Sequence, residues 1–265
     1  MSEIDNVLTE NWEDEFLSGR MELPRVWVTL ENGFEIQELQ SHRVDEVIEM
    51  IKKHYIFEEP IFVGSQIYKD NESVEQYLYL ARHWIMDTLS TIAVDKKTNS
   101  IVGFLICRFN ELFNRDPEMS RERIYSGKTW KELQKFKHYL TKRSNPYKHY
   151  KVDNILEIYS WFVLPRYRKK GIGTELLRNV MHRQLPEYKW FELDVIVGMF
   201  TSDQSQRIAK SLEMKTLYDF VYAGWTITNK STGKDERFFK TMKPDSNSAT
   251  VMSFRANAAV ESQWP

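Results

Sequence analysis

The chain has 265 residues, of which 42% are apolar, and it contains 15 Phe, 13 Tyr and 8 Trp. A chain of this length can bury about three quarters of its unfolded surface, and only 18 residues are Gly or Pro, which argues against long linkers or disordered stretches. The 37 basic and 38 acidic residues cancel, so net charge gives no reason to expect nucleic-acid or membrane binding. A single Cys excludes a disulfide framework and a Cys-based zinc site.

Two features of the sequence bear on where the protein is located in the cell. The first 16 residues, MSEIDNVLTENWEDEF, are acidic and lack the apolar run of a targeting peptide. The longest apolar stretch, over 101–107, is much shorter than the roughly 20 residues that span a bilayer. We therefore expect a soluble, cytoplasmic protein that binds neither membrane nor nucleic acid, and we expect it to be a monomer.

Hydrophobic periodicity begins after residue 33, so residues 1–33 are predicted to be a polar extension that packs on the main domain, residues 34–255. Over the first half of the domain the pattern predicts a strand over 34–39, a helix carrying Val44, Val47, Ile48 and Ile51, a helix that begins at a Ser73–Gln76 capping box, and a hairpin of strands over 91–94 and 101–109.

A charged insertion is predicted over residues 111–153, where Leu133, Phe136 and Leu140 indicate one helix. Ten Lys or Arg and two Glu lie between Arg121 and Lys151, so the near-neutral total hides a basic segment. Two interpretations stay open: a solvated helix face, or a wall that attracts an anionic ligand or a partner.

Strands and helices alternate in the second half, which predicts an α/β sheet with helices packed on its faces. The predicted elements are a strand over 155–164, a helix with Leu176, Leu177, Val180 and Met181, a strand over 191–200, a helix with Ile208, Ala209 and Leu212, and strands near 217–227 and 249–255. Residues 256–265 are predicted to be a tail.

The junction SWFVLPRYRKKGIGTELL, residues 160–177, predicts an anion site. An apolar strand ends at Pro165, four basic residues follow within 166–170, and Gly171 and Gly173 precede an amphipathic helix. Glycines let the backbone approach a ligand closely, and the free N–H groups of a first helical turn favour a phosphate. The alternative is a plain strand-to-helix turn with surface lysines. Neither the dinucleotide fingerprint nor a Walker loop fits, because Leu176 stands where a third glycine is required and GxxxxGK[ST] is absent.

The spacing Arg168-x-x-Gly171-x-Gly173 resembles the coenzyme A pyrophosphate loop of the GNAT superfamily of N-acetyltransferases, and the element order over 34–255 is similar to that fold. The resemblance implies a mixed, mostly antiparallel central sheet of about seven strands with helices on both faces, acetyl-CoA as the acyl donor, and no metal. It implies cofactor contacts from Trp161, Phe162, Val163, Arg168, Lys169, Lys170, Gly171, Ile172, Gly173 and Thr174.

Two further segments resemble the insect arylalkylamine N-acetyltransferase branch: YIFEEPIF at 55–62 and TSDQSQRIAKSLEM at 201–214. The likeness implies that Glu59, before Pro60, is the catalytic base, and that the hydroxyls of Thr201 and Ser205 serve the reaction. Thr201 stands where the branch usually has Ser, with Ser202 beside it, and Leu212-Glu213-Met214 replaces a Leu-Gly-Phe ending.

Acetylation of an amine requires such a base, because an alkylamine with a pKa near that of Lys must lose a proton before it attacks a thioester. Burial against Tyr55, Phe57 and Phe62 would raise the pKa of Glu59 and make it a better base. Glu58 is the fallback, and an ordinary surface carboxylate is the competing interpretation of either residue.

The fold resemblance also implies an oxyanion donor, the backbone N–H of Phe162 or Val163. Ser205 would protonate the thiolate, with Tyr218 as an alternative. The competing interpretation of Thr201 is a capping box with Gln204. Aromatic residues that could line an acceptor pocket are Tyr68, Trp84, Trp161, Phe200 and Trp225.

Together these features predict an N-acetyltransferase that acetylates an arylalkylamine such as dopamine, tryptamine or serotonin by direct transfer in a ternary complex. A polyamine-like or aliphatic amine acceptor is the first alternative, and acidic residues in the pocket would favour it. The second is a coenzyme A-binding module without catalysis. A nucleic-acid binder that uses 121–151 is the weakest, since no binding motif accompanies the charge.

Overall fold

The structure, a computed structural model, describes residues 24–86, 89–112, 127–188, 192–228 and 233–256. Most of the predicted extension, the predicted tail beyond Ala256 and residues 113–126 of the insertion lie outside these ranges. Among the described helices none is long and apolar enough to cross a membrane. The domain boundaries, the cytoplasmic location and the monomeric state stay predictions.

An eight-stranded sheet forms the centre of the molecule, in the order β1-β2-β3-β4-β5-β6-β10-β7. Its strands are β1 Val26–Thr29, β2 Phe34–Glu38, β3 Thr91–Asp95, β4 Ser100–Glu111, β5 Asn154–Val163, β6 Val195–Phe200, β7 Lys215–Val221 and β10 Ser248–Arg255, while β8 Thr226–Thr228 and β9 Asp235–Arg237 pair separately. All neighbours in the sheet are antiparallel except β5 and β6. The α/β class and the mixed sheet are confirmed, with one strand more than predicted because 26–29 pairs with β2.

Helices pack on both faces of this sheet. They are α1 Val44–Met50, α2 Pro60–Ser65, α3 Asn71–Ile85, α4 Lys128–Ser144, α5 Pro146–Tyr150, α6 Ile172–Asn179 and α7 Asp203–Ser211. Helical turns extend α1 through Ile51–Tyr55 and Ile56–Glu58, and others extend α6 through Val180–Gln184 and Leu185–Glu187. The apolar residues of α1, α3 and α4 form one core layer, and those of α6 and α7 form the other.

The start of α3 differs from the prediction. Asp70 caps the helix by accepting from Ser73 N at 3.2 Å, whereas Ser73 lies inside it and its Oγ donates to Asp70 at 2.7 Å. The predicted Ser73–Gln76 capping box is therefore wrong. Ser73 Oγ also accepts from Trp130 N at 2.9 Å, so its hydroxyl joins α3 to α4.

Two predicted strands have different bounds. The strand predicted over 191–200 begins at Val195, and Phe191 lies outside the described residues. The strand predicted near 217–227 is divided by a helical turn at Tyr222–Gly224, which separates β7 from β8. In the insertion, α4 buries Leu133, Phe136 and Leu140 against the core, so these residues face inward as the spacing predicts.

A gap opens where β5 and β6 part. Their parallel pairing ends at Ile158 and Gly198, although both strands continue. The register of β5 against β4 passes from Ser160–Ile106 to Ile158–Cys107, which leaves Tyr159 as a bulged residue at the same point. Bulges bend a strand and often lie beside sites, and this bulge lies beside the gap between β5 and β6.

Candidate active site

The loop between β5 and α6 has the backbone of an anion-binding turn. Lys169 and Gly171 adopt left-handed conformations with φ of 62° and 79°, and α6 begins directly afterwards at Ile172. A Cβ at Gly171 would meet nothing within 4 Å, and one at Gly173 would lie 3.4 Å from the Trp161 ring. The first-turn N–H groups of α6 have no intrahelical acceptors. The turn therefore leaves open space at a positive helix end, which suits a pyrophosphate.

The basic side chains of the loop point in different directions. Arg168 Nε donates to Val163 O at 2.9 Å, and its Nη1 lies 3.3 Å from Glu58 Oε2. The Lys170 ammonium lies 5.4 Å from the ring centroids of both Phe34 and Tyr167. The predicted contacts that line the adjoining cavity are Trp161, Phe162, Val163, Arg168, Lys169, Gly171, Ile172, Gly173 and Thr174, whereas Lys170 does not line it.

That cavity has a volume of about 460 Å³ and crosses the gap between β5 and β6. Its walls run from the loop to Glu59, Thr201 and Ser205, and on to an aromatic end formed by residues of α3, α4 and β5. The volume lies within the range of small-molecule sites. One cavity thus connects the predicted cofactor loop with the predicted catalytic residues.

Glu59 occupies a break between two helices. Its backbone is extended (φ −63°, ψ 122°) because Pro60 disfavours a helical conformation in the residue before it. Pro60 then starts α2 as the first helical residue, where its missing N–H costs nothing. Glu59 O accepts from Phe62 N and Val63 N at 3.0 and 2.9 Å. The Glu-Pro pair therefore ends one helix and starts the next, with Glu59 at the cavity wall.

The Glu59 carboxyl group is buried, although part of the residue faces the cavity. Burial raises its pKa above the ordinary value, and interactions with the Thr201 and Tyr55 hydroxyls, the Ile61 N–H and the Lys243 charge offset only part of that rise. Thr201 O accepts from Tyr222 OH at 2.9 Å, which fixes the backbone at the end of β6. The structure thus brings Glu59 and Thr201 together.

Glu58 lies in a different environment. Its carboxylate accepts from Lys243 Nζ at 3.0 Å and pairs with Arg168, and Lys243 also donates to Glu58 O at 3.1 Å. Burial acts to raise the pKa of Glu58, but Lys243 and Arg168 outweigh it and hold that pKa below its ordinary value. A carboxylate held in two ion pairs is a poorer base than Glu59.

Three hydroxyls lie behind Glu59 in the core. Tyr77 OH lies 2.8 Å from Ser160 Oγ, and Tyr55 interacts with both Ser160 and Glu59. Burial raises the pKa of both Tyr55 and Tyr77 well above the usual value, so both hydroxyls keep their protons. The sequence predicts the helix that carries Tyr77 but not this role of its hydroxyl. The signal was Ser160, a polar residue inside an otherwise apolar strand.

Ser205 takes part in the cap of α7. Ser205 N donates to Ser202 Oγ at 3.1 Å, and Ser202 N donates to Ser205 Oγ at 3.2 Å, which makes Ser202 the capping residue. The predicted Thr201–Gln204 capping box is therefore wrong by one residue. The Thr201 hydroxyl interacts with the Glu59 carboxyl group instead. Ser205 Oγ also donates to Ser202 O at 2.8 Å. Tyr218, the predicted alternative acid, lies outside the cavity wall, with its OH 3.2 Å from Tyr139 OH.

The backbone of β5 offers N–H groups to the gap. Leu164 N donates to Val102 O on the β4 side, and residues of an antiparallel strand alternate in the side to which their N–H and C=O point. Phe162 therefore faces β4, while Trp161 and Val163 face the gap. Of the two predicted oxyanion donors, this alternation favours Val163.

The far end of the cavity is aromatic. Trp84 and Tyr159 have ring centroids 4.5 Å apart, with Trp130, Leu133 and Lys137 of α4 beside them. Trp84, Trp161 and Phe200 line the cavity as predicted. Tyr68 instead packs against Phe57 at 5.7 Å, and Trp225 against Phe136 at 5.2 Å. Among the described residues, no group of three or more His, Cys, Asp or Glu side chains could hold a metal ion.

Comparisons with known proteins identify the fold and the family. No curated protein matches the chain. The structure is similar to that of an insect protein designated arylalkylamine N-acetyltransferase 7, from the yellow fever mosquito (TM-score 0.74, 19% identity, 89% of this chain and 96% of that one). It is also similar to arylalkylamine N-acetyltransferase 2 from Aedes aegypti (0.73, 21%, 85% and 100%).

A Drosophila melanogaster polyamine N-acetyltransferase that forms N-acetylagmatine is similar as well (TM-score 0.68, 14% identity, 84% of this chain and 99% of that one). At these identities the likeness establishes the fold. The model of the Acetyltransferase (GNAT) family matches residues 53–190, which is more than half of the chain and includes both Glu59 and the anion-binding turn. The chain therefore belongs to the GNAT family of acetyltransferases.

Proposed function

We propose that this acetyltransferase transfers the acetyl group of acetyl-CoA to the primary amine of an arylalkylamine. The observation that carries the proposal is that one cavity joins an anion-binding turn, a buried carboxylate of raised pKa and an aromatic end. Each feature suits one part of the reaction: the donor's pyrophosphate, the proton to be removed, and the ring of the acceptor.

Acetyl-CoA fits the turn by charge and by space. The N-terminus of α6, with Arg168 and Lys169 beside it, suits the pyrophosphate. The open space at Gly171 lets the backbone approach it. The gap between β5 and β6 would receive the thioester end of the donor, close to Glu59.

Glu59 acts as the general base. Its raised pKa lies closer to that of the amine than an ordinary carboxylate's would, so it takes a proton more readily, directly or through one water. The neutral nitrogen then attacks the thioester carbonyl carbon, a C–N bond forms, and the C–S bond breaks. The hydroxyls of Thr201 and Tyr55 hold the Glu59 carboxyl group in place.

Two further groups act on the negative charges that form during the reaction, the oxyanion and the thiolate. The Val163 N–H faces the gap and stabilises the oxyanion of the tetrahedral intermediate. The departing thiolate takes a proton from Ser205 Oγ, which lines the cavity and has to turn away from Ser202 O to deliver it. The acylated nitrogen loses its second proton, which passes to the Ser205 alkoxide and restores that hydroxyl. The first proton, on Glu59, returns to solvent, so the net products are the amide, the free thiol and one proton.

The acceptor is assigned from the cavity walls. Acidic walls would favour a polyamine, but among the residues that the structure describes the carboxylates that line the cavity are Glu58, Glu59 and Asp245. Glu58 is neutralised by Lys243 and Arg168. The aromatic end carries Lys137 in place of an acid. Because the fold is shared with a polyamine enzyme as well as with arylalkylamine enzymes, this wall is the observation that favours an aromatic acceptor.

Release of free thiol from acetyl-CoA tests the proposal. Tryptamine, dopamine and phenethylamine should each be acetylated with a kcat/KM at least about tenfold above that of 1,4-diaminobutane or agmatine, a difference of roughly 1.4 kcal/mol in transition-state binding. Faster turnover of the diamines would establish the polyamine alternative instead. Tight acetyl-CoA binding without turnover of any amine would establish the silent module.

A further inference from the structure

Lys137 lies at the aromatic end of the cavity, on α4. Its Nζ is 4.7 Å from the Tyr159 ring centroid and 5.5 Å from that of Trp84. Both distances are within the range of a cation–π contact. The side chain is half-buried, and all three residues line the cavity. Within its described part, residues 127–153, the basic insertion contributes the Lys137 charge to the cavity wall and no other basic side chain.

A row of touching rings separates this charge from Glu59. Tyr55 interacts with Glu59 and lies 6.4 Å from Tyr77, measured between ring centroids, and Tyr77 lies 5.8 Å from Trp84. Lys137 is at the end of that row. Glu59 and Lys137 line the same cavity, so an amine with one nitrogen at Glu59 that extends toward the aromatic end would bring its other end closer to Lys137.

No described carboxylate neutralises the Lys137 ammonium at ion-pair distance. The ion pair on the same helix joins Lys135 to Glu132. The Arg143 guanidinium, farther along α4, lies over Tyr139, away from the cavity wall. The charge of Lys137 is thus available to act on whatever occupies this end of the cavity.

We propose that Lys137 determines acceptor specificity by rejecting amines that carry a second positive charge. The proposal rests on the proposed function and extends it to a residue. A paired Trp and Tyr face is the kind of surface that attracts a ligand cation, and here an ammonium of the protein already covers it. Lys137 would repel a second ligand ammonium, and like charges about 12 Å apart at an effective dielectric constant of about 20 weaken binding roughly tenfold.

A purely structural role makes a different prediction. Lys137 could use its aliphatic stem to cover the two rings while the charge reaches solvent. In that case a substitution would lower stability or slow all acceptors in parallel. It would leave the ratio between singly and doubly charged acceptors unchanged.

Two variants separate these roles. Lys137→Met keeps the length of the stem and removes the charge, and Lys137→Glu reverses the charge. Lys128→Glu is the matched control, because Lys128 makes the same charge change at an exposed position of the same helix, outside the cavity wall. The readouts are kcat/KM for phenethylamine and for agmatine at saturating acetyl-CoA, and the KM for acetyl-CoA.

The agmatine-to-phenethylamine ratio should rise about tenfold in Lys137→Met and about a hundredfold in Lys137→Glu. The KM for acetyl-CoA and the ratio in Lys128→Glu should stay within about twofold of wild type. An unchanged ratio in Lys137→Met would overturn the proposal, and so would an equal rise in Lys128→Glu. If Lys137→Glu does not fold, Lys137→Met carries the test.

The two proposals can fail separately. Wild-type protein that acetylates no amine overturns the proposed function. Calorimetry then decides the specificity claim: the ratio of agmatine affinity to phenethylamine affinity should be higher in Lys137→Met than in wild type, and an equal ratio would overturn the claim. Wild-type protein that turns over phenethylamine, with a ratio insensitive to Lys137, overturns the specificity claim alone.

Discussion

Glu58 and Glu59 are adjacent in the chain, yet their surroundings shift the pKa of the two carboxyl groups in opposite directions. Glu58 turns toward Lys243 and Arg168, which keep it charged. Glu59 turns into the core beside Tyr55 and Thr201, where burial disfavours its charge. Carboxyl groups whose environments push their pKa values apart are typical of sites with divided acid–base roles.

The contrast predicts a pH dependence. Glu59 accepts a proton only when it is ionised, so kcat/KM should fall as the pH drops through its raised pKa. Lys243 lowers that pKa, and Lys243→Met should therefore move the acidic limb of the pH–rate profile to higher pH. Lys240→Met, at an exposed lysine paired with Glu236, should leave the limb in place. A limb that does not move in Lys243→Met would argue against Glu59 as the titrating base.

Replacing each glutamate by glutamine should change the stability of the fold in opposite directions near pH 7.5. A raised folded-state pKa means that stability is lost as the pH rises through it, so Glu59→Gln should have a higher Tm than wild type near pH 7.5. A lowered pKa means that the charged form stabilises the fold, so Glu58→Gln should have a lower Tm at the same pH. As the pH approaches 4 the Glu59 difference should disappear, because that carboxyl group is then protonated in wild type. The Glu58 difference should still be present there, because its lowered pKa keeps that carboxylate charged to lower pH. Thermal unfolding at both pH values checks this, and changes of the same sign would contradict it.

Ser202 and Ser205 provide a matched pair for the thiolate acid. Each side chain takes part in the cap of α7, so either Ala substitution should cost about 0.5–2 kcal/mol of stability. Ser205→Ala should also lower kcat, by about a hundredfold if its hydroxyl protonates the thiolate. Equal kcat values for the two variants would reduce Ser205 to a capping residue.

The features that the sequence predicted best are contiguous in the chain. The turn at 168–173 needs only a strand, basic residues, two glycines and a helix in order, and the Glu59-Pro60 break is encoded by two neighbours. Local sterics and helix-end chemistry decide such features. Their recognition required no knowledge of the rest of the fold.

The features that the sequence missed depend on distant contacts. Lys243 reaches Glu58 across 185 positions, and Lys137 reaches Tyr159 from a separate helix. Nothing near either lysine in the sequence marks it as different from the other surface lysines. The two wrong capping boxes have a similar cause, because Asp70 and Ser202 compete with Ser73 and Thr201 for the same role, and tertiary contacts decide the outcome.

The most direct measurement is the rate of thiol release from acetyl-CoA with a saturating arylalkylamine, in wild type, Glu59→Gln and Glu58→Gln. Glu59→Gln should lower kcat by at least about a hundredfold, because the general base is lost, while the KM for acetyl-CoA stays close to that of wild type. Glu58→Gln should keep most of the activity. Unchanged turnover in Glu59→Gln, or a larger loss in Glu58→Gln, would contradict the assignment of Glu59 as the base.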